Sequence, residues 1–118
     1  MNDISPQLQN QIAQFQQLQQ QLQTVSTQKM QMEAQVRELK RTLAELEKAG
    51  DEAPVYKSVG ALLIKTSDRS ALKEEMEESV ETMDIRVKAL ERQEKSMREK
   101  FQSLQETLNK AMGAPRSN

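Results

Sequence analysis

The sequence predicts a mainly α protein, a long antiparallel coiled-coil hairpin of two helices with a short β-hairpin in the linker between them. Two long segments repeat their apolar residues every seven positions, which is the pattern of a coiled coil. The short stretch between them is rich in β-branched and apolar residues, which favour strands. We expect a single domain over residues 1–118, with helices at 5–49 and 68–112 and the β-hairpin at 54–66.

The composition is that of an elongated protein rather than a compact one. Of the 118 residues, 36% are hydrophobic but only 3% are aromatic, so few large side chains are available to fill a globular core. The formal net charge is -1, and acids are interleaved with bases even in the basic stretch IRVKALERQEKSMREK. A free basic helix that binds nucleic acid is therefore not expected.

The sequence gives no sign of secretion or of membrane insertion. The N-terminal stretch MNDISPQLQNQ is too polar for a signal peptide, and no apolar run approaches the roughly 18 residues that cross a membrane. Cysteine is absent, which excludes a disulfide framework and makes an intracellular setting the natural inference. We expect a cytoplasmic protein that binds no membrane.

The residue types that carry enzyme chemistry are missing or scattered. There is no histidine, which removes the usual general base and the commonest metal ligand. The glycines, Gly50, Gly60 and Gly113, are too far apart to form a phosphate-binding loop. The carboxylates lie beside Lys or Arg along the helices, as on solvated faces. We therefore expect no catalytic residue, no metal site, no cofactor and no enzyme activity.

The first helix begins with a cap and carries an apolar seam. Ser5 can accept a hydrogen bond from a free backbone N–H, and Pro6 suits the first helical position. The dense glutamines admit a low-complexity interpretation, but their regular interruption by apolar residues favours a helix with a neutral polar face. The helix is expected to end near Gly50. Its two heptad rows are Phe15, Leu22, Lys29, Val36 and Leu43, and Leu18, Val25, Met32, Leu39 and Leu46.

The second helix repeats this design. Either Asp68 or Ser70 can cap its start, and Gly113 is expected to end it. Its seam contains one charged position, Glu94. Its two rows are Val80, Val87, Glu94, Phe101 and Leu108, and Met76, Met83, Leu90, Met97, Leu104 and Ala111.

The two seams can be aligned in one antiparallel register if the chain folds back on itself. That register places Leu18 beside Phe101. In each layer it packs a residue from the first position of the heptad seam, a, against a residue from the second seam position, d, of the facing helix. It also puts the two charged seam residues, Lys29 and Glu94, in adjacent layers, about 5 Å apart. They can pair and fix the register, or both side chains can reach solvent from the edge of the seam, and the sequence leaves both interpretations open.

The linker stretch VYKSVGALLIK is typical of two strands joined near Gly60, where glycine permits the positive φ of a tight turn. The run from Leu62 to Ile64 is apolar at successive positions, so a strand there presents apolar groups on both faces. One face can pack on the adjacent helices, while the other needs further cover. Open edges and two apolar faces indicate pairing with strands of other chains, and the alternative is a loop plug buried within a monomer.

The chain consists of a helix, the hairpin VYKSVGALLIK and a second helix, with heptads on both sides of the hairpin. This order resembles the β-type subunit of prefoldin, of the archaeal kind or the similar eukaryotic subunit six. The stretch ALERQEK in the second helix adds to the resemblance, which covers essentially the whole chain. The α-type subunits have two hairpins in the linker, whereas this chain has room for one. This difference favours the β type.

The resemblance implies a hexamer of two α-type and four β-type subunits whose hairpins join in an intersubunit β-barrel. It also implies a particle that holds unfolded proteins between the tips of its coiled coils and delivers them to a group II chaperonin without using ATP. The residues expected to join the barrel are Val55, Tyr56, Val59, Gly60, Leu62, Leu63 and Ile64.

Client binding is expected where the two chain ends meet. At the start of the first helix, Ile4, Leu8 and Ile12 are spaced by four instead of following the heptad, so they drift off the seam. The matching stretch of the second helix ends in Leu108 and Met112, and none of these side chains has an assured partner. The competing functions are a structural or tethering coiled-coil adaptor without general client binding, and an adaptor whose helices bind one defined partner. The expected tip residues are Ile4, Leu8, Ile12, Phe15, Leu104, Leu108 and Met112.

Overall fold

The structure, a computed structural model, describes residues 4–113, and within that range it consists of two helices and two strands. Helix α1 is Pro6–Lys48 and helix α2 is Arg69–Ala111. Between them lie strand β1, Tyr56–Val59, and strand β2, Leu62–Lys65. This order confirms the predicted fold class, and each helix is one residue shorter at either end than expected.

Side-chain caps explain where the two helices begin. The Ser5 hydroxyl accepts a hydrogen bond of 3.0 Å from the backbone N–H of Leu8, as predicted. A carboxylate oxygen of Asp68 accepts one of 2.9 Å from the backbone N–H of Ala71. Of the two candidate caps for α2, Asp68 is therefore used and Ser70 is not.

Glycine ends α2 as expected. Gly113 has a φ of 65°, in the left-handed region that favours glycine. Its backbone N–H donates a 3.1 Å hydrogen bond to the carbonyl of Lys110, which satisfies one of the free carbonyls of the last turn.

The chain divides into two compact units, which are described separately. The first unit contains α1 up to Met30 and the part of α2 from Lys88 onwards. The second unit is Gln31–Val87 and contains the remaining parts of both helices and the β-hairpin.

In the first unit the two helices run antiparallel. Phe15, near the start of α1, stacks on Phe101, near the end of α2, with ring centroids 4.6 Å apart and planes inclined by 24°. The predicted register put Phe101 opposite Leu18, one turn further along α1, so the stacking joins neighbouring layers. Of the apolar side chains described in this unit, Val25 and Leu108 are buried.

The remaining seam positions follow the predicted pattern with one exception. In both units they are half-buried or buried, while the residues between them are mostly exposed. Val36 is the buried apolar residue among those described in the second unit. Ala111, the last residue of its predicted row, is exposed. Within residues 4–113 no helix has the length and apolar character that a membrane span requires.

Candidate functional site

The β-hairpin closes through a two-residue turn at Gly60 and Ala61. Gly60 has a φ of 59°, whereas Ala61 has no positive φ, which is the pattern of a type II′ turn. The turn was predicted at this glycine and is confirmed. The antiparallel strands pair Tyr56 with Lys65, Lys57 with Ile64, Ser58 with Leu63, and Val59 with Leu62.

Both faces of the hairpin carry exposed apolar side chains beside one lysine each. Directly paired residues share a face, and faces alternate along each strand. Every residue of β1 and β2 is exposed, and the large apolar and aromatic residues among them range from 47% exposed for Val59 and Ile64 to 74% for Leu63. One face carries Tyr56, Ser58, Leu63 and Lys65, and the other carries Lys57, Val59, Leu62 and Ile64.

This exposure excludes the alternative of a loop plug buried within the monomer. The expectation that one face could pack on the adjacent helices is also not met, because all eight strand residues are exposed. Val55 alone of the predicted barrel residues is half-buried, and its carbonyl accepts a 2.9 Å hydrogen bond from the backbone N–H of Thr66, which extends the ladder beyond β1. Gly60 is exposed at the turn.

The outer edges of the hairpin are available for pairing. In the described part of the chain the sheet has two strands, so each strand has one edge whose backbone groups meet no further strand. An open edge is a template for another strand, and an exposed apolar side chain contributes about 1.5–3 kcal/mol when it becomes fully buried. The hairpin therefore has the geometry and the apolar surface for strand addition by other chains.

The base of the hairpin contains a residue that sequence reasoning missed. The guanidinium of Arg69, the first residue of α2, donates to the backbone carbonyls of Leu46 at 2.7 Å, Ala49 at 3.0 Å and Gly50 at 2.6 Å. These carbonyls lie at the C-terminal end of α1. No sequence pattern identifies this contact, because an arginine in the first turn of a helix gives no sign of what its side chain reaches.

A polar cluster around the buried Glu94 interrupts the seam of the first unit. Glu94 is only 7% exposed, and one of its carboxylate oxygens accepts a 2.8 Å hydrogen bond from Lys29. The other oxygen accepts a hydrogen bond from the Ser26 hydroxyl, and the Arg98 guanidinium lies 3.5 Å from it. The open question about the two charged seam residues is thus answered, because they form an ion pair.

The cluster holds the Glu94 carboxylate in its charged form. The hydrogen bonds from Lys29 and then from Ser26 lower the pKa of Glu94 below its ordinary value of 4.5, with further contributions from the positive charges of Lys29 and Arg98. Burial acts in the opposite direction but is outweighed. Ser26 was not predicted, because one serine among many polar residues of α1 carries no distinguishing signal.

The predicted tip residues do not form one uniformly exposed surface. Ile4 is 41% exposed and Met112 is 62% exposed, whereas Leu108 is buried. Leu108 was expected to have no assured partner, but it is buried, because the packing of the seam continues to this position. The other four are half-buried: Leu8, Ile12, Phe15 and Leu104.

Comparison with known proteins decides the family. The family described as "Prefoldin subunit" matches residues 9–114 of this chain. The chain belongs to the prefoldin subunit family. Among curated relatives, prefoldin subunit beta of Archaeoglobus fulgidus is 49% identical over 92% of each chain, and that of Methanosarcina acetivorans is 44% identical over 95% of each chain.

A solved prefoldin structure has the same fold. The crystal structure of the prefoldin beta subunit from Thermococcus strain KS-1 matches with a TM-score of 0.83 and 40% identity, over 98% of this chain and 100% of that chain. The resemblance drawn from the sequence is therefore confirmed, including the β type. Prefoldin is a chaperone family rather than an enzyme family.

Proposed function

We propose that this chain is a β-type subunit of an ATP-independent cytoplasmic holdase. It would assemble with a prefoldin α-type subunit and further copies of itself into a hexamer of two α-type and four β-type chains. The particle would capture unfolded or nascent proteins between its coiled-coil tips and deliver them to a group II chaperonin. The observation that carries this proposal is the hairpin, which is exposed throughout and has apolar side chains on both faces.

Assembly through the hairpin follows from its unsatisfied surface. An isolated two-stranded hairpin is marginally stable in water, so it gains most from partners that cover its faces and pair with its edges. Partner strands would bury the exposed apolar residues of β1 and β2 and hydrogen-bond to the free backbone groups of both outer edges. A barrel shared by several chains meets both requirements, because closure leaves no strand edge unpaired.

Client capture is supported by apolar groups near the chain ends. Ile4 and Met112 are exposed, and Met side chains adapt to surfaces of different shape. A single contact of this size is weak, but several arms on one particle raise the effective affinity by roughly 10² or more if the client spans them. Tight binding at any one arm is therefore not needed.

An aggregation assay separates this function from its rivals. The chain is assembled with the α-type subunit, and light scattering is recorded as two unrelated, chemically denatured proteins are diluted into buffer without ATP. A holdase suppresses the aggregation of both proteins. Suppression of neither would indicate a tethering coiled coil, and suppression of one alone would indicate an adaptor for a defined partner.

A further inference from the structure

Arg69 joins the two helix ends from which the β-hairpin emerges. It begins α2, and its guanidinium donates to the carbonyl of Leu46 in the last turn of α1 and to the carbonyls of Ala49 and Gly50, the two residues that follow α1. The segment 51–68, which contains both strands, is thereby closed at its base by three hydrogen bonds.

The chemistry of this contact suits a fixed geometry. The last carbonyls of a helix have no partner within the helix and carry partial negative charge, so a cation is favoured there. The guanidinium is planar and presents its donors in a rigid fork, whereas a lysine ammonium acts as a flexible point charge. Arg69 is half-buried, which limits competition from water. The three carbonyls thus fix both the position and the orientation of the side chain.

Two ion pairs of the second unit lack the rigid fork of donors that Arg69 has. Lys73 lies 3.4 Å from Glu47 on α1, and Lys57 of β1 lies 3.3 Å from Glu75 on α2. All four side chains are between 43% and 61% exposed. Exposed ion pairs of this kind contribute little, so the orientation of the hairpin base depends mainly on Arg69.

We propose that Arg69 is a positioning residue for assembly, which holds the β-hairpin in the orientation that partner strands require. The inference rests on the proposed role of the hairpin in assembly. A hairpin with a fixed base enters the barrel without first losing orientational freedom, and preorganisation of this kind strengthens association without adding any contact to the partner.

The test compares Arg69→Lys and Arg69→Gln with Lys73→Gln, a matched control that also removes a contact between α1 and α2. The chain contains no cysteine, so Ser58→Cys on β1 and Glu81→Cys on α2 can be spin-labelled specifically. The distance distribution between the labels is measured by pulsed electron paramagnetic resonance on the full chain alone. Assembly is measured as the concentration of α-type partner needed to form half of the complex.

Both Arg69 variants should broaden the label distance distribution and raise the half-assembly concentration about tenfold or more, while the helix content by circular dichroism stays the same. Lys73→Gln should change neither readout. Unchanged distances and assembly in both Arg69 variants would overturn the inference. A lower melting temperature with unchanged distances would also overturn it, because Arg69 would then only stabilise the helix end. The distance measurement involves no partner, so its result does not depend on whether the hairpin forms a barrel.

Discussion

At the scale of single residues, Glu94 shows how a charge can occupy an apolar seam. Its carboxylate is buried, but it receives hydrogen bonds from Lys29 and Ser26 of the facing helix. A shift of the helices by one layer would move both donors out of reach and leave the buried carboxylate with the 3.5 Å contact to the exposed Arg98 of its own helix, which is costly. Apolar contacts alone discriminate less sharply between registers, so we interpret this cluster as the feature that specifies the antiparallel alignment of the first unit.

The first prediction concerns the coupling between Lys29 and Glu94. Lys29→Leu or Glu94→Leu alone should lower the free energy of unfolding by about 1–3 kcal/mol, because each removes one partner of the ion pair and leaves the remaining charged group without that hydrogen bond. The double leucine variant should be less destabilised than the sum of the single variants. Urea unfolding of the three variants and the unchanged chain provides this double-mutant cycle.

The exposed pair Lys48 and Glu45 is the control for that cycle. Both side chains are largely exposed, and their atoms lie 3.4 Å apart, so their coupling should be at most about 0.5 kcal/mol. Additive effects at Lys29 and Glu94 would show that the buried pair does not specify the register.

The second prediction is a pH dependence that Glu94 causes. Its pKa is lowered in the folded chain, so its contribution to stability is fully present above 4.5 and is lost as the pH falls through the folded-state pKa. Glu94→Gln keeps the shape of the side chain without its charge. The difference in unfolding free energy between the two proteins should therefore be largest near neutral pH and shrink below 4.5. A difference that stays constant over this range would contradict the assigned role of the charge.

At the scale of elements, the helices and the turn could be predicted because their causes are local. Ser5 caps the helix that follows it, and Gly60 supplies the positive φ of its own turn. The heptad spacing indicates which face of each helix packs against the other helix. The contacts of Arg69 and Ser26 could not be predicted, because each side chain meets residues that are distant in sequence. The burial of Leu108 was missed for a related reason, since it depends on packing against the facing helix.

The third prediction tests the hairpin as the assembly element. Ile64→Asp should prevent entry into the complex, because it replaces an apolar side chain by a carboxylate on a face that partner strands cover, at a cost of several kcal/mol. Size-exclusion chromatography with the α-type subunit measures the assembled fraction.

Ile85→Asp provides a matched control for that substitution. Ile85 is also an exposed isoleucine, 62% accessible, but it lies on α2 outside the strands. The Ile85→Asp substitution should leave assembly unchanged. Normal assembly of Ile64→Asp, or equal loss in both variants, would contradict the placement of the interface on the hairpin.

At the scale of the whole molecule, we assign assembly to one segment of the chain and client capture to another. The strands carry exposed apolar groups on both faces, while Ile4 and Met112 are exposed near the chain ends. The sequence indicated both regions, but it could not rank the tip residues, because exposure there depends on where the packing of the two helices stops. Substituting the exposed residues is therefore a sharper test than truncation, which would also remove the buried Leu108.

The fourth prediction follows from this division. The double variant Ile4→Ser and Met112→Ser should assemble normally and lose several-fold in the suppression of client aggregation, because each arm of the particle loses apolar contact and the losses multiply across arms. Met30→Ser is the control, since Met30 is 63% exposed but lies within α1. Full protection by the double variant would contradict the tip site and indicate that clients bind to the inner surfaces of the coiled coils or to the barrel.

Native mass spectrometry of the complex purified from its own host tests the central claim most directly. We predict a particle whose mass equals four copies of this chain and two copies of one α-type subunit, and which dissociates when Ile64→Asp replaces the native residue. A monomer, or an oligomer of this chain that contains no α-type partner, would contradict the account.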